Sequence, residues 1–391
     1  MDQDITQLKA TVGRLTAHGL VSVGSGGSYT AASFQSFLHE SITGKLSYST
    51  TPYQLLNKHK AIRNSGVSVL SAEGKNKDVL GCFRYLLAME PQDLMAFTLK
   101  SESPLNELAK GSNYASNLGY SMPWGKDGYL ATNSLISTCV LLYRAYHACF
   151  KDMIPECPTS LDGLLDACIE IEASNKLEFL SSIGNSRNKA FLVITGLSGQ
   201  IAGIDLESRI SESAMGTCQV VDFRSFAHGR HLWTSQNKTN AAAIVLWSEE
   251  ERELYDSVKN SVPTSLPILS IKLKGPCYLR QLASIVKVVQ LIKDFGDKHG
   301  IDPGQPEVSQ SGRDIYELDA FTKHIENNKV SDRGWAVTRK FGGAHNYGVQ
   351  FQAEMLDSYD TFVGQLTTTR FGAIVFDSPG WPACGASQRP E

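Results

Sequence analysis

Apolar positions along the chain follow two rhythms that alternate. Ile5, Leu8, Val12 and Leu15 fall at helical spacing over residues 4–17. Residues 20–23 are a short apolar run closed by Gly-Ser-Gly-Gly-Ser at 24–28, and a helix is predicted from about Tyr29 to Ser41. Residues 66–70 form another β-prone run ending in Ser71-Ala72-Glu73-Gly74, with a helix predicted over about 78–89. Residues 94–99 read as a third strand and 131–149 as a long, mostly apolar helix. The rhythm then restarts. Residues 161–180 read as helical, and the polar stretch 184–188 reads as a loop. Residues 190–194 read as a strand ending in Thr195-Gly196-Leu197-Ser198-Gly199, followed by a helix to about Met215. Residues 241–247 and 267–273 read as further strands, and 279–294 as an amphipathic helix. Strand, Gly/Ser turn and helix in repetition predict open, parallel α/β sheets in two halves joined near 151–159. Residues 301–313, rich in Gly, Pro and polar side chains, read as a surface arm or linker, and the carboxy-terminal end has no periodicity.

Composition narrows the function classes. The chain has 391 residues, of which 42% are hydrophobic and 20% charged, enough for a packed core. Lys and Arg total 37 against 40 Asp and Glu, a net charge of -3, which argues against a chain organised around nucleic-acid phosphates. No apolar run of membrane-spanning length exists, and the amino terminus lacks the pattern of a signal peptide. The expected compartment is the cytoplasm, with no nucleic-acid or membrane partner. Eight scattered cysteines without a CxxC pair read as small core residues in a reducing compartment, not as a metal or redox site. Arg333, Arg339 and Lys340 near Trp335 and Phe341 read as a solvated face, and His345 has no spaced partner for a metal.

A strand–Gly/Ser turn–helix unit suits phosphate. The helix amino terminus carries unpaired N–H groups and a partial positive charge, Gly lets an oxyanion approach the backbone, and hydroxyls add donors. Residues 24–28 fit this, but they match neither a dinucleotide fingerprint nor a Walker loop. Three turns in order, GSGGSY at 24–29, LSAEGKNKD at 70–78 and DGYLATNSLIS at 127–137, resemble the sugar isomerase (SIS) domain, whose turns wrap a sugar phosphate. The segment 195–231 is similar to the second SIS unit of the isomerase half of glucosamine-6-phosphate synthase and its relatives, and the likeness spans about residues 10–318.

The resemblance implies an α/β fold of two SIS-type, doubly wound parallel-sheet domains, each three-layered α/β/α, at 1–153 and 154–320. A carboxy-terminal extension would occupy 321–391. It implies a phosphorylated sugar as ligand, bound by Ser25, Gly26, Gly27 and Ser28 of the first turn, with Ser71, Asn76 and Thr132 contributing. It implies aldose–ketose isomerisation, with Glu212 as the base that moves a proton between C1 and C2. His228, sixteen residues on, would open the ring, and Arg209 and Asp205 would support the base. His231 could substitute for His228. No metal or organic cofactor is required, and a homodimer is implied, since some relatives complete the site with a neighbour's His.

The chain departs from the family pattern in two places. Glu73 and Asn76 stand where the second turn has Ser and Thr, so Glu73 must turn away, pair with Lys75 or Lys77, or mark a different ligand. Ser311 stands where the arm Lys belongs, leaving Arg313 as the nearest cation. A deaminase-type enzyme and a non-catalytic sugar-phosphate sensor remain open alternatives. Residues 370–381 resemble the first motif of the haloacid dehalogenase superfamily, with Asp377 at the nucleophile position. Pro379 replaces the second Asp and the chain stops soon after, so this reads as a remnant without activity.

Overall fold

Among the residues that the computed structural model describes, 3–323 apart from 57, 123, 124, 126, 185–188 and 320, ten strands form two sheets of five. By their contacts these residues belong to one unit, Met1–Lys323. The first half runs α1 (Thr6–Leu15), β1 (Gly19–Val23), α2 (Gly27–Thr43), β2 (Ser47–Thr50), α3 (Pro52–Leu55), α4 (His59–Arg63) and β3 (Ser65–Ser71). It continues through α5 (Lys77–Met89), β4 (Asp93–Thr98), α6 (Pro104–Lys110), β5 (Ala115–Gly119) and α7 (Asn133–Cys149). The second half runs α8 (Leu161–Cys168), β6 (Ile169–Glu170), α9 (Ala173–Ile183), β7 (Ala190–Thr195), α10 (Gln200–Glu212) and β8 (Thr217–Asp222). Then follow α11 (Phe223–Ser225), α12 (His231–Gln236), β9 (Ala241–Ser248), α13 (Arg252–Ser261), β10 (Ile268–Leu273), α14 (Cys277–His299) and α15 (Gln310–Tyr316).

Both sheets are doubly wound. The first has the order β2-β1-β3-β4-β5, parallel throughout. The second has the order β6-β10-β9-β7-β8, parallel except for β6. In each sheet the chain leaves neighbouring central strands in opposite directions, and right-handed crossovers then place the connecting helices on opposite faces. Helices α1, α2 and α7 cover one face of the first sheet, and α3 to α6 the other. In the second half α8, α9, α10 and α14 cover the face turned toward the first half, and α13 covers the far face. The halves meet helix on helix, α2 and α7 against α10 and α14. One apolar cluster runs through the join, from Phe34, Leu38 and Tyr143 to Leu206, Leu282 and Ile285.

Four strands, β2, β5, β6 and β8, are absent from the sequence reading. Strands β2 (SYST), β5 (ASNLG) and β8 (TCQVVD) lie at sheet edges and bury only some of their side chains, so none carries an apolar run. The predicted helix over 161–180 is interrupted by β6. Ile169 and Glu170 pair antiparallel with Leu273 and Lys272, where a β-branched side chain favours extended backbone. Residues 301–313 are a surface arm, none of them buried, and not a free linker. The Tyr129 N–H donates to the Gly304 carbonyl at 2.7 Å. Helix α15 is capped by the Ser309 hydroxyl, which accepts from the Gly312 N–H. Lys77 pairs with Glu317 at 3.2 Å, and Phe321 is fully buried against Gly81 and the Tyr85 ring. The segment thus returns from the second half to the first. The loop at 185–188, the extension beyond 323 and the dehalogenase-like motif with Asp377 lie outside the described residues.

Helix ends follow local chemistry. Helices α2 and α14 stop at Gly44 and Gly300, whose φ values of 67° and 64° only glycine adopts without strain. The seven described cysteines are all free thiols, three of them buried.

His39 is fully buried on α2. Its Nε2 donates to the His18 carbonyl at 2.9 Å, so Nδ1 is left to accept from the Tyr146 hydroxyl at 2.8 Å. Burial disfavours the imidazolium and holds its pKa below the ordinary value. The unfolded chain therefore takes up this proton more readily. The stability His39 contributes is complete above about pH 6.5 and is lost as pH falls below that, through the lower folded-state pKa. The urea midpoint is expected to drop between about pH 7.5 and about pH 5.5, and to drop less in His39→Gln. An equal drop in both proteins would remove His39 as the cause.

Candidate functional site

Strands β1 and β3 are neighbours whose chains leave on opposite faces, which opens a crevice beyond their carboxy ends. Two turns border it. The first, 24–28, leads into α2. Gly24 has no room for a Cβ against the Ser28 carbonyl, and Gly26 sits at φ 54° as the residue before the helix. No side chain caps this helix; the Ser28 and Tyr29 N–H groups donate within the turn, to the Ser25 and Gly26 carbonyls at 3.1 and 2.8 Å. Ser25 is exposed, and Gly27 and Ser28 are half-buried beside it.

The second turn, 71–76, is occupied by its own side chains. The Ser71 hydroxyl accepts from the Gly74 N–H at 3.1 Å, and Asn76 Oδ1 accepts from the Val79 N–H at 3.1 Å. Glu73 turns its carboxylate to Lys75 at 2.6 Å and Lys100 at 3.8 Å, and the Glu73 hydrogen bond raises the Lys75 pKa. Lys100, not Lys77, is the second cation here, because Lys77 is engaged with Glu317.

The entry to α7 presses on the first turn: a Cβ on Gly27 would collide with the Ala131 methyl. Glycine there lets Ala131, the residue before Thr132, pack against the first turn. The Thr132 hydroxyl donates to Asp127 at 2.9 Å, and the same carboxylate accepts the N–H groups of Thr132, Asn133 and Ser134 at 3.0, 2.8 and 2.9 Å. Burial pushes the Asp127 pKa up, but these hydrogen bonds outweigh it and hold the carboxyl below its usual range. Asp127 fills the amino terminus of α7, so Thr132 can meet a ligand only with its remaining lone pair. The sequence reading missed this role. The signal was an acid five to seven residues ahead of the helix-opening Thr-Asn-Ser.

From the second half, α10 contributes charge. Asp205 and Arg209 are 2% and 3% exposed and pair through the Arg209 Nε. Thr30 on α2 donates to Asp205 Oδ1 at 2.7 Å, and Arg209 Nη2 donates to the Ala131 carbonyl at 2.6 Å. Arg209 Nη1 has no hydrogen-bond partner among the described residues. A buried guanidinium from the second half thus reaches the first half at the residue that touches Gly27.

The other sequence candidates lie apart from this cluster. Glu212 is the last residue of α10, exposed, and accepts from the Ser208 hydroxyl at 2.6 Å. His228 is exposed in the turn 226–230, where Gly229 takes φ 116°, and His231 stands edge-on to Phe226. Arg313 is exposed on α15. Among the described residues no hydrogen bond or ion pair ties Glu212, His228 or Arg313 to the turns at 24–28 and 71–76. No group of three His, Cys, Asp or Glu among the described residues could hold a metal ion. No helix among them is long and apolar enough to cross a membrane.

No protein-family model matches the chain, and no curated protein matches it significantly. Solved structures do. One is a protein from Silicibacter pomeroyi assigned as a phosphosugar isomerase, with a TM-score of 0.59 at 16% identity over 77% of this chain and 93% of that one. Another is the C-terminal domain of glucosamine-fructose-6-phosphate aminotransferase from Francisella tularensis, with a TM-score of 0.56 at 12% identity over 76% and 89%. A third is tagatose-6-phosphate ketose/aldose isomerase from Escherichia coli, with a TM-score of 0.52 at 12% identity over 78% and 88%. The fold is the one these phosphosugar proteins share.

Proposed function

We propose that the chain binds a phosphorylated sugar in the β1/β3 crevice and interconverts its aldose and ketose forms. The observation that carries this reading is the buried Arg209 guanidinium, which bonds the Ala131 carbonyl beside Gly27 at the start of α2 and whose Nη1 has no partner among the described residues. Ser25, Gly26, Gly27 and Ser28 hold the phosphate. Ser71, Asn76 and the free lone pair of Thr132 border the sugar. Arg209, paired with Asp205, ties α10 to the Ala131 carbonyl at the edge of the first turn. Glu212 takes the C2 proton of the open-chain sugar and returns it at C1. His228 opens the ring, Arg313 on the returning arm steadies the enediolate, and no metal or organic cofactor takes part. The exposed positions of Glu212 and His228 fit a cytoplasmic homodimer in which a second copy closes the site. The two halves, 1–153 and 154–320, act as paired SIS-type domains. The ketose/aldose isomerase and the aminotransferase domain among the structural neighbours support a sugar phosphate as substrate class.

A non-catalytic sensor is the second reading. It is favoured by the exposure of Glu212 and by Glu73, which puts a carboxylate in a turn beside the proposed phosphate site. Thermal shift against a panel of hexose 6-phosphates tests binding, since a ligand of the folded state raises its stability. Ser28→Ala is expected to weaken that binding roughly tenfold or more, the loss of one hydrogen bond to a charged group. An unchanged affinity would move the phosphate elsewhere.

A further inference from the structure

The second sheet repeats the crevice of the first. Strands β7 and β9 are neighbours, Thr195 opposite Leu246, and α10 and α13 leave them on opposite faces. At the first crevice the turn after β1 has no capping side chain. At the second, a carboxylate of the chain already sits there. Glu251 is 8% exposed, its Oε1 accepts the Leu197 N–H at 2.6 Å, and its Oε2 accepts both the Ser248 N–H and the Ser248 hydroxyl at 2.9 Å. Gly196 faces this carboxylate so closely that a Cβ would collide with it. Gln281 Nε2 holds the far side of the turn through the Leu197 carbonyl at 3.1 Å.

Part of this is local. Glu251 and Ser248 form a capping box ahead of α13. A capping box needs only one carboxylate oxygen. The other reaches across the crevice to a different strand's turn, and the glycine at 196 is shaped around it.

We infer that the β7/β9 crevice is an oxyanion cradle filled from within by Glu251, and that the protein accepts a phosphate-bearing ligand only in its first half. Removing the Glu251 side chain leaves a site for a small oxyanion such as formate or inorganic phosphate. The count of one ligand per chain rests on the proposed phosphate site at β1/β3; the cradle itself does not.

Two variants test the cradle. Glu251→Ala is expected to lose roughly 5 °C or more in melting temperature, since three donors lose a charged acceptor. Formate or inorganic phosphate should restore at least half of that loss, while chloride at equal ionic strength should not. The wild-type protein should show no such response to formate. Absence of selective rescue overturns the inference. Glu251→Gln separates cradle from cap. Gln satisfies a capping box, but its amide must turn an NH2 toward a donor at Leu197 or Ser248, so a clear loss of stability is expected. A Glu251→Gln protein as stable as wild type would show that the carboxylate serves only the cap, and this variant decides the matter if Glu251→Ala cannot be purified. Isothermal titration with inorganic phosphate should give one more site in Glu251→Ala than in wild type. Rescue by formate with no phosphate binding in wild type would leave the cradle standing and count against the β1/β3 site alone.

Discussion

Arg209→Met should lower the free energy of unfolding by about 3–5 kcal/mol, the range for breaking one partner of a buried ion pair. Asp205, at 2% exposure, would keep only the Thr30 hydroxyl as a side-chain donor, in an environment too poor in water to solvate a carboxylate. The Ala131 carbonyl would lose its donor as well, and with it one of the ties between α10 and the first half. Urea unfolding at neutral pH measures the loss. A second variant separates charge from packing. Arg209→Met with Asp205→Leu removes both charges, and such replacements are often close to neutral, so the pair should be more stable than Arg209→Met alone. A single variant within about 1 kcal/mol of wild type, the worth of an exposed pair, would mean that the pair is solvated.

Glu212→Gln should slow deuterium incorporation at C2 of the bound hexose 6-phosphate by about 10²–10⁴-fold, the usual contribution of a positioned general base. The amide keeps the size of the side chain but cannot take a proton. Binding measured by thermal shift should stay within about threefold of wild type, because the base is not assigned to the phosphate. Exchange at the wild-type rate would move the base elsewhere. Sugar-phosphate binding without exchange in the wild-type protein would select the sensor. Placement of Glu212 at the exposed end of α10 makes this the more demanding of the two tests.

What could be read from the residues follows burial. The central strands β1, β3, β4, β7 and β9 are legible because most of their side chains are buried, which writes them as apolar runs, and β10 because its buried and half-buried positions alternate. Edge strands β2, β5 and β8 are half solvated and look like loops. The turn at 24–28 is legible because a left-handed residue and a close backbone approach require glycine there. Side-chain pairings across long stretches of chain are not. Nothing local announces that Thr30 meets Asp205, or that Arg209 reaches Ala131. Nor does a run of three glutamates reveal that Glu251, alone of Glu249, Glu250 and Glu251, turns inward. The arm after 301 is legible as a surface arm, but its attachment is not. Its composition is that of a linker, yet one buried phenylalanine, Phe321, anchors it.

The continuous cluster beneath α2, α7, α10 and α14 makes the two sheets thermodynamic hostages of each other. Each buries, against its sister, apolar area that would otherwise confront solvent, so neither sheet should melt ahead of the other. The duplicated layout therefore describes repetition of form and not independence of behaviour, and a gene cut between the sheets would yield two sticky fragments in place of two modules.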